Sequence, residues 1–393
     1  MSFAAPQTLR PLNAPNVQSA RAAFARVEVF DDPARALDAW RALPPETCGS
    51  FYQSESFVLA WLDVFAAREQ VKPFFILARD EAGAPLALLP LGLFRFGPLR
   101  VAQFLGGKHS NYNLGLFRAD RAFSAQDLRV LLSAAARAVP RGPHLYRFLN
   151  LPLTWRGGAN ALTLLPHRAA ASRAYATTLS GDGEAFFAAR LSADARKKLR
   201  KKEKRLAAMG ALRVFRAANA GEAEQILDAY FAHKDGRAGH SIAPADIAAT
   251  RVFYRSLALG AGAAPPIELH ALALDGKIIA VLGAGRNGGR LQGMFISYDP
   301  DPDIARSSPG ELLLCAVLRD ACARNLSSFD LGVGDARYKT TFCDESERLA
   351  EALYAPTWAG RLAAPFFALA SAAKAAIKHN PRLFALARRA RGF

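Results

Sequence analysis

Acidic residues are scarce in this chain relative to basic ones, and cysteine and methionine are scarcer still. Its 393 residues hold 34 Asp and Glu against 51 Lys and Arg, a formal net charge of +17. That field favours anionic partners: nucleotide cofactors, phosphorylated substrates, nucleic acid or anionic lipid headgroups. The four cysteines, Cys48, Cys315, Cys322 and Cys343, are widely spaced and form no Cys-x-x-Cys pair. The pattern argues against a zinc site or a disulfide framework and suits free thiols in a reducing cytoplasm, so no metal is expected. Long apolar runs are also missing. The best two, around 85–94 and 362–373, fall well short of the roughly 18 residues needed to span a bilayer. The proline-broken start does not read as a signal peptide. The expected location is cytoplasmic, with peripheral contact at the inner face of the membrane as one use of the charge.

What is present is globular material, 51% hydrophobic and long enough for two domains. After a flexible leader (1–20), the apolar periodicity predicts strands over 26–30, 72–79, 85–94, 101–105 and 145–149, with helices over 33–43, 54–68 and 124–139. The second half predicts strands over 212–216, 267–274, 277–286, 290–297 and 328–332, and a last strand over 347–354. Its helices are expected over 220–234 and 244–259, with another opening at Ser308. Asp275-Gly276 and Asn287-Gly288-Gly289 read as hairpin turns. The two halves share one order of elements, which points to a structural duplication with a linker near 153–172 and a ligand cleft between the copies. The expected division is 21–165, 173–355 and a basic tail over 356–393.

The densest signal lies between Phe295 and Phe342. Ser307 or Ser308 can cap a helix, Pro309 is preset for its first position, and Gly310 leaves room beside the first N–H groups, which carry the positive end of the helix dipole. Such a terminus binds phosphate. The helix runs to about Asn325, a short buried strand follows at Phe329 and Asp330, and Asp335, Tyr338 and Lys339 come at its C-terminal end, where open α/β sheets place ligands. Asp335 has a second reading as the cap of a helix starting near Ala336.

Two segments concentrate positive charge. From Ser192 to Met209, a narrow apolar stripe of Ala195, Leu199, Leu206 and Met209 is crowded by Lys and Arg, which fits a solvated face or a patch for a polyanion. Nucleic acid lacks the supporting aromatics or fold signature. Beyond Tyr354 the tail carries seven Lys and Arg and no acidic residue. Trp358, Leu362, Phe366, Phe367, Leu369 and Ile377 supply an apolar side that can lie on an anionic membrane or dock on its own domain.

The basic helix ARKKLRKKEKRL, then FAHKDGRAG, SPGELLLCAVLRDACARN and FDLGVGDARYKTTF, make the region 175–355 resemble the GNAT-type acyltransferase domain of the CelD-like, cellulose-biosynthesis-associated bacterial proteins. These are relatives of the Fem aminoacyltransferases, which carry two GNAT-like domains in tandem. The resemblance implies an α/β fold of two such domains, each a mixed, largely antiparallel sheet flanked by helices, with the first degenerate. It implies acetyl-CoA or a longer acyl-CoA as cofactor, its pyrophosphate held by Arg306, Ser307, Ser308, Pro309, Gly310 and Glu311. Pro309 and Glu311 stand where the usual pattern has glycines. Tyr338-Lys339-x-x-Phe342 resembles a Fem element whose lysine faces phosphates and the reacting carbonyl. The implied reaction is acyl transfer to an amine or hydroxyl of an amino sugar, polysaccharide or other cell-envelope precursor. Lys339 would supply charge, Tyr338 a proton for the leaving thiolate, and Asp335 or His240 a base. His109, Asn111, Tyr112 and Asn113 would line the acceptor pocket with Lys234 and Arg237. The alternatives are a Fem-like ligase using aminoacyl-tRNA and a non-catalytic membrane-surface component of exopolysaccharide synthesis.

Overall fold

The computed structural model describes residues 24–44, 47, 49–235, 244–260 and 265–380. Cys48, Arg237, His240 and the basic residues beyond 380 lie outside the described residues. The first half comprises β1 (Arg26–Phe30), α1 (Pro33–Ala42), α2 (Glu55–Phe65), β2 (Lys72–Arg79), β3 (Pro85–Phe96), β4 (Leu99–Phe104), β5 (Leu116–Phe117), α3 (Ala125–Arg137) and β6 (Leu145–Pro152). A small hairpin of β7 (Thr154–Trp155) and β8 (Gly158–Ala159) leads to β9 (His167–Thr178). The second half continues through α4 (Gly183–Arg190), α5 (Ala193–Ala207), β10 (Leu212–Arg216), α6 (Ala220–Asp235), α7 (Pro244–Leu259), β11 (Ile267–Leu274), β12 (Lys277–Asn287) and β13 (Arg290–Tyr298). It ends with α8 (Pro302–Ala305), α9 (Pro309–Ala323), β14 (Ser328–Val333), α10 (Arg337–Phe342), β15 (Glu345–Tyr354) and α11 (Trp358–His379).

All of these strands except β7 and β8 form one mixed sheet in the order β1-β2-β3-β4-β6-β15-β9-β14-β13-β12-β11-β10, with β5 on the flank of β3. The order is a palindrome: β1 to β4 mirror β10 to β13, and β6 mirrors β14. The two central strands are exchanged. β9, which follows the first half, pairs antiparallel with β14 of the second, and β15, the last strand, pairs antiparallel with β6 of the first. The segment expected to be a linker therefore contains the small hairpin and the first six residues of β9. Its composition hides it, because HRAAASRAYATT has little large apolar content, yet a central strand is secured by backbone pairing on both sides.

Cores lie on both faces. One cluster is shared by the two halves, where α2 meets α7 and Phe253 lies edge-on to Phe57 and Phe65 at 5.4 and 5.6 Å. Burying each such ring contributes roughly 2–3 kcal/mol. The other face carries separate cores, one around α3 and one around α4, α5 and α9. In the stripe of α5, Leu206 is fully buried and Ala195 and Leu199 partly so, whereas Met209 is exposed.

α11 settles on the sheet by one face alone. Phe367 is buried, with Arg147 over its ring and Phe96 edge-on, while Trp358, Leu362, Phe366 and Leu369 point outward. No helix among the described residues is long and apolar enough to cross a membrane.

Candidate active site

β13 and β14 run parallel but pair only from Arg290 to Gln292 against Ser328 to Asp330. Beyond Gln292 they separate, and β13 also carries a bulge between Gly293 and Phe295. A groove of about 990 Å³ lies beside the separated ends, walled by Ile296 and Tyr298 of β13, by α5, by the start of α9, and by Tyr338, Thr341 and Phe342. Lys198, Lys201, Lys202, Arg205 and Arg306 line it against only two carboxylates, Asp194 and Glu311.

The turn into α9 differs from the expected serine cap. Ser308 occupies the N-cap position in a left-handed conformation (φ 52°, ψ 58°) and its side chain caps nothing. Glu311 and Leu312 instead send their N–H groups to the Ser308 carbonyl, at 3.0 and 3.2 Å. Ser307 is wholly buried, and its Oγ has no hydrogen-bond partner among the described residues. Gly310 has ordinary space: a Cβ there would lie 3.5 Å from Tyr298 and 3.7 Å from Ile296. Arg306 pairs with Asp303 at 2.7 Å, and its carbonyl accepts from Arg205. The Glu311 carboxylate, which would repel a phosphate, is held by the Lys202 ammonium across the groove.

Tyr338 faces the groove, and burial pushes its hydroxyl above the ordinary tyrosine pKa, so it stays protonated at neutral pH and has a proton to donate. Lys339, one residue on, is buried. Its Nζ donates to the carbonyls of Val333 (3.0 Å) and Gly332 (3.3 Å) at the end of β14, and burial lowers its pKa. Asp335 does not cap α10, whose N-cap is Ala336. Its carboxylate accepts from Tyr175 at 2.7 Å and from Lys378 of α11 at 2.8 Å, and these two hydrogen bonds, Lys378 foremost, hold its pKa down. Burial pushes the Cys315 and Cys343 thiols up to about 12, which leaves neither a nucleophile at neutral pH.

The first half reaches into the same region. Asn111 donates to the Tyr52 hydroxyl at 2.7 Å and to the Gly293 carbonyl at 3.2 Å, and it lies so close to Gly332 that a Cβ there would meet its Nδ2 at 2.5 Å. It thus sits where β13 and β14 part. Tyr112 and Asn113 are buried, donating to Asp330 and to the Leu149 carbonyl respectively. His109 stacks on Phe65 at 4.7 Å and packs beside Phe253, so it is surrounded by aromatic rings. Lys234 lies over the Tyr230 ring at 5.6 Å.

Asp330, read from the sequence only as the end of a strand, is the hub beneath the site. Fully buried, it accepts from Arg290 (2.8 Å), Tyr112 (2.8 Å) and the Gly332 N–H (2.6 Å). Arg290 lies over Trp155 at 4.4 Å. Around the paired start of β13 and β14 is a second cavity of about 460 Å³, lined by Arg290, Trp155, Tyr175 and Glu347 among others. A carboxylate inside an apolar strand must find a partner, so the signal for Asp330 was present. Arg290, 40 residues away, was not identifiable from it.

Residues 193–340 match the family model described as an acetyltransferase (GNAT) domain. Among solved structures, FemX aligns with a TM-score of 0.56 at 11% identity, over 84% of this chain and 97% of its own. A conserved protein of unknown function from Bacteroides thetaiotaomicron VPI-5482 aligns with a TM-score of 0.51 at 12% identity, over 84% of this chain and 99% of its own. At such identities these two likenesses concern the fold. No curated relative matches the sequence. The parted parallel strands and the helix that opens after the first of them lie within residues 193–340, the stretch that matches a GNAT acetyltransferase domain, in a sheet that the first half continues.

Proposed function

We propose that the protein transfers an acyl group from acetyl-CoA or a longer acyl-CoA to a nitrogen or oxygen of an amino sugar, polysaccharide or other cell-envelope acceptor, in the manner of the CelD-like proteins. The observation that carries this reading is the groove at the start of α9, with its cationic wall on α5. The positive end of the helix dipole, beside the α5 cations, suits a diphosphate there. Pro309 removes one donor, but Lys202 neutralises Glu311, and the chain's own groups fit the cofactor. When bound, acyl-CoA supplies an activated thioester carbonyl. Lys198, Lys201, Arg205 and Arg306 would hold its phosphates, and Tyr338 would be the proton donor for the leaving thiolate. Lys339, fixed at the end of β14 by the Gly332 and Val333 carbonyls, would supply positive charge for the thioester carbonyl.

The acceptor side is assigned to Asn111, with Lys234 on the second half; His109, Tyr112 and Asn113, expected from the sequence to line the pocket, are instead packed inside the fold, and Arg237 and His240 lie outside the described residues. Asp335, tied to Lys378 and Tyr175, orients the segment entering α10. On this reading 21–165 is a degenerate copy that shapes the acceptor side, and 173–355 holds the cofactor.

Thermal-shift titration tests the cofactor. CoA and acetyl-CoA should raise the melting temperature in proportion to the logarithm of concentration, and Gly310→Ala, whose methyl meets only ordinary contacts, should fold normally but lose most of that rise. Absence of any rise with the wild-type chain at millimolar CoA rejects the reading. The exposed Lys197, Arg200, Lys201 and Lys204 of α5 favour a second reading, a ligase that uses aminoacyl-tRNA. Retarded tRNA migration together with indifference to CoA would select it.

A further inference from the structure

α11 carries two unlike faces. Its inner face is pinned along its length: Thr357 at the start donates to the His144 carbonyl, Arg168 donates to the Ala368 carbonyl, and Lys378 near the end bonds Ser172 and Asp335, each at 2.8 Å. Its outer face presents Trp358, Leu362, Phe366 and Leu369, which are 76%, 73%, 70% and 70% exposed. Their spacing places them in one stripe. Because the inner contacts already hold the helix, the stripe cannot turn inward onto its own domain. An apolar surface of this size on a folded protein marks a docking site.

We propose that this stripe seats the protein on the surface of an anionic bilayer. Charge selects that occupant. No Asp or Glu occurs from 356 to 393, whereas Arg361, Lys374, Lys378, Arg382, Arg388, Arg389 and Arg391 do. A second copy meeting the same stripe by two-fold symmetry would bring two such basic segments together with no carboxylate of their own to offset them. Anionic headgroups instead attract a helix whose exposed cations, Arg361 and Lys374, meet no carboxylate of its own, as the rings and aliphatic chains of the stripe enter the headgroup boundary. The helix, 22 residues long, is not apolar enough to cross, so it lies in the plane of the surface. Through Lys378 and Asp335 the helix that meets the lipid also braces the segment entering α10. The proposal stands apart from the acyl-transfer reading, since it uses neither the groove nor its residues.

Co-sedimentation of the full chain with vesicles tests it. Vesicles of phosphatidylcholine containing about one third phosphatidylglycerol should pellet the protein, and pure phosphatidylcholine should bind at least about tenfold more weakly. Trp358→Ser combined with Phe366→Ser, both at exposed positions, should weaken binding to anionic vesicles by about a hundredfold while leaving the circular dichroism spectrum and the CoA thermal shift unchanged. Wild-type protein remaining in the supernatant overturns the proposal, as does equal binding to neutral vesicles or by the double variant. A solution dimer that the double variant splits overturns it in favour of a second copy as the occupant. A lost CoA shift in the wild type would reject the acyl-CoA reading and leave this one intact.

Discussion

Replacing Arg290 with Met would strip the buried Asp330 carboxylate of its only cation at hydrogen-bonding distance among the described residues. Asp330 is 0% exposed and the Arg290 side chain 18%, with 2.8 Å between the charged atoms. Breaking a buried pair from one side costs about 3–5 kcal/mol, because the surviving charge stays desolvated. The Tyr112 hydroxyl and the Gly332 N–H remain to stabilise it, and the partial exposure of Arg290 admits water from one side. The lower end, about 3 kcal/mol, is therefore expected, with up to about 1 more for the cation lost from the Trp155 face. That is a large share of the 5–15 kcal/mol typical of a folded domain. Asp330→Asn keeps an oxygen for Tyr112 and Gly332 but removes the charge, so the double variant should recover at least about 2 kcal/mol relative to the sum of the singles. Urea denaturation of the four proteins measures the cycle. Additivity within about 0.5 kcal/mol, or a cost below about 1 kcal/mol for Arg290→Met, would refute the assignment of Asp330 as a charged hub.

Three further outcomes are expected. Burial within the aromatic cluster, aided by Lys108 and opposed by Asp246, lowers the His109 pKa to about 4. Its neutral form is therefore favoured by folding, and the stabilisation is complete above the unfolded value near 6.5 and lost as pH falls toward 4. Between pH 7.5 and 5 the wild type should lose about 2 kcal/mol more than His109→Phe in chemical denaturation, and parallel curves would contradict the burial argument. Lys339→Met, which retains the side-chain bulk but not the donor to Val333 and Gly332, should reduce turnover about a hundredfold with the CoA thermal shift preserved; wild-type turnover would remove Lys339 from the mechanism. Tyr338→Phe should lower kcat about tenfold or more with KM for acyl-CoA nearly unchanged, and a rise in KM alone would make Tyr338 a groove wall only.

Most strands and helices could be read from the chain because their apolar spacing is regular. The run Ile267–Leu274 and the helix Pro244–Leu259 agree with expectation at both ends. The duplicated order of elements was visible for the same reason. The strand exchange was not, since nothing in the alanine-rich β9 marks which neighbour its backbone will choose. At the site, the helix opening at Pro309 follows from proline's fixed geometry, but the left-handed Ser308 follows from how α8 delivers the chain to α9, which no local preference encodes. The apolar residues of α11 were legible as a group. Their division into an inward Phe367 and an outward stripe depends on where Val101 and Leu145 stand in the sheet.

The exchanged central strands also constrain how the molecule comes into being. β6 emerges from the ribosome about 190 residues before β15, the strand that will cover it. Until then the nascent first half presents a bare sheet edge through Leu145–Pro152, the kind of template that recruits stray β-structure from other chains. A product truncated before Glu345 would keep that edge open permanently and leave one flank of β9 bare as well. Premature termination would therefore yield an aggregating fragment, not a smaller working enzyme.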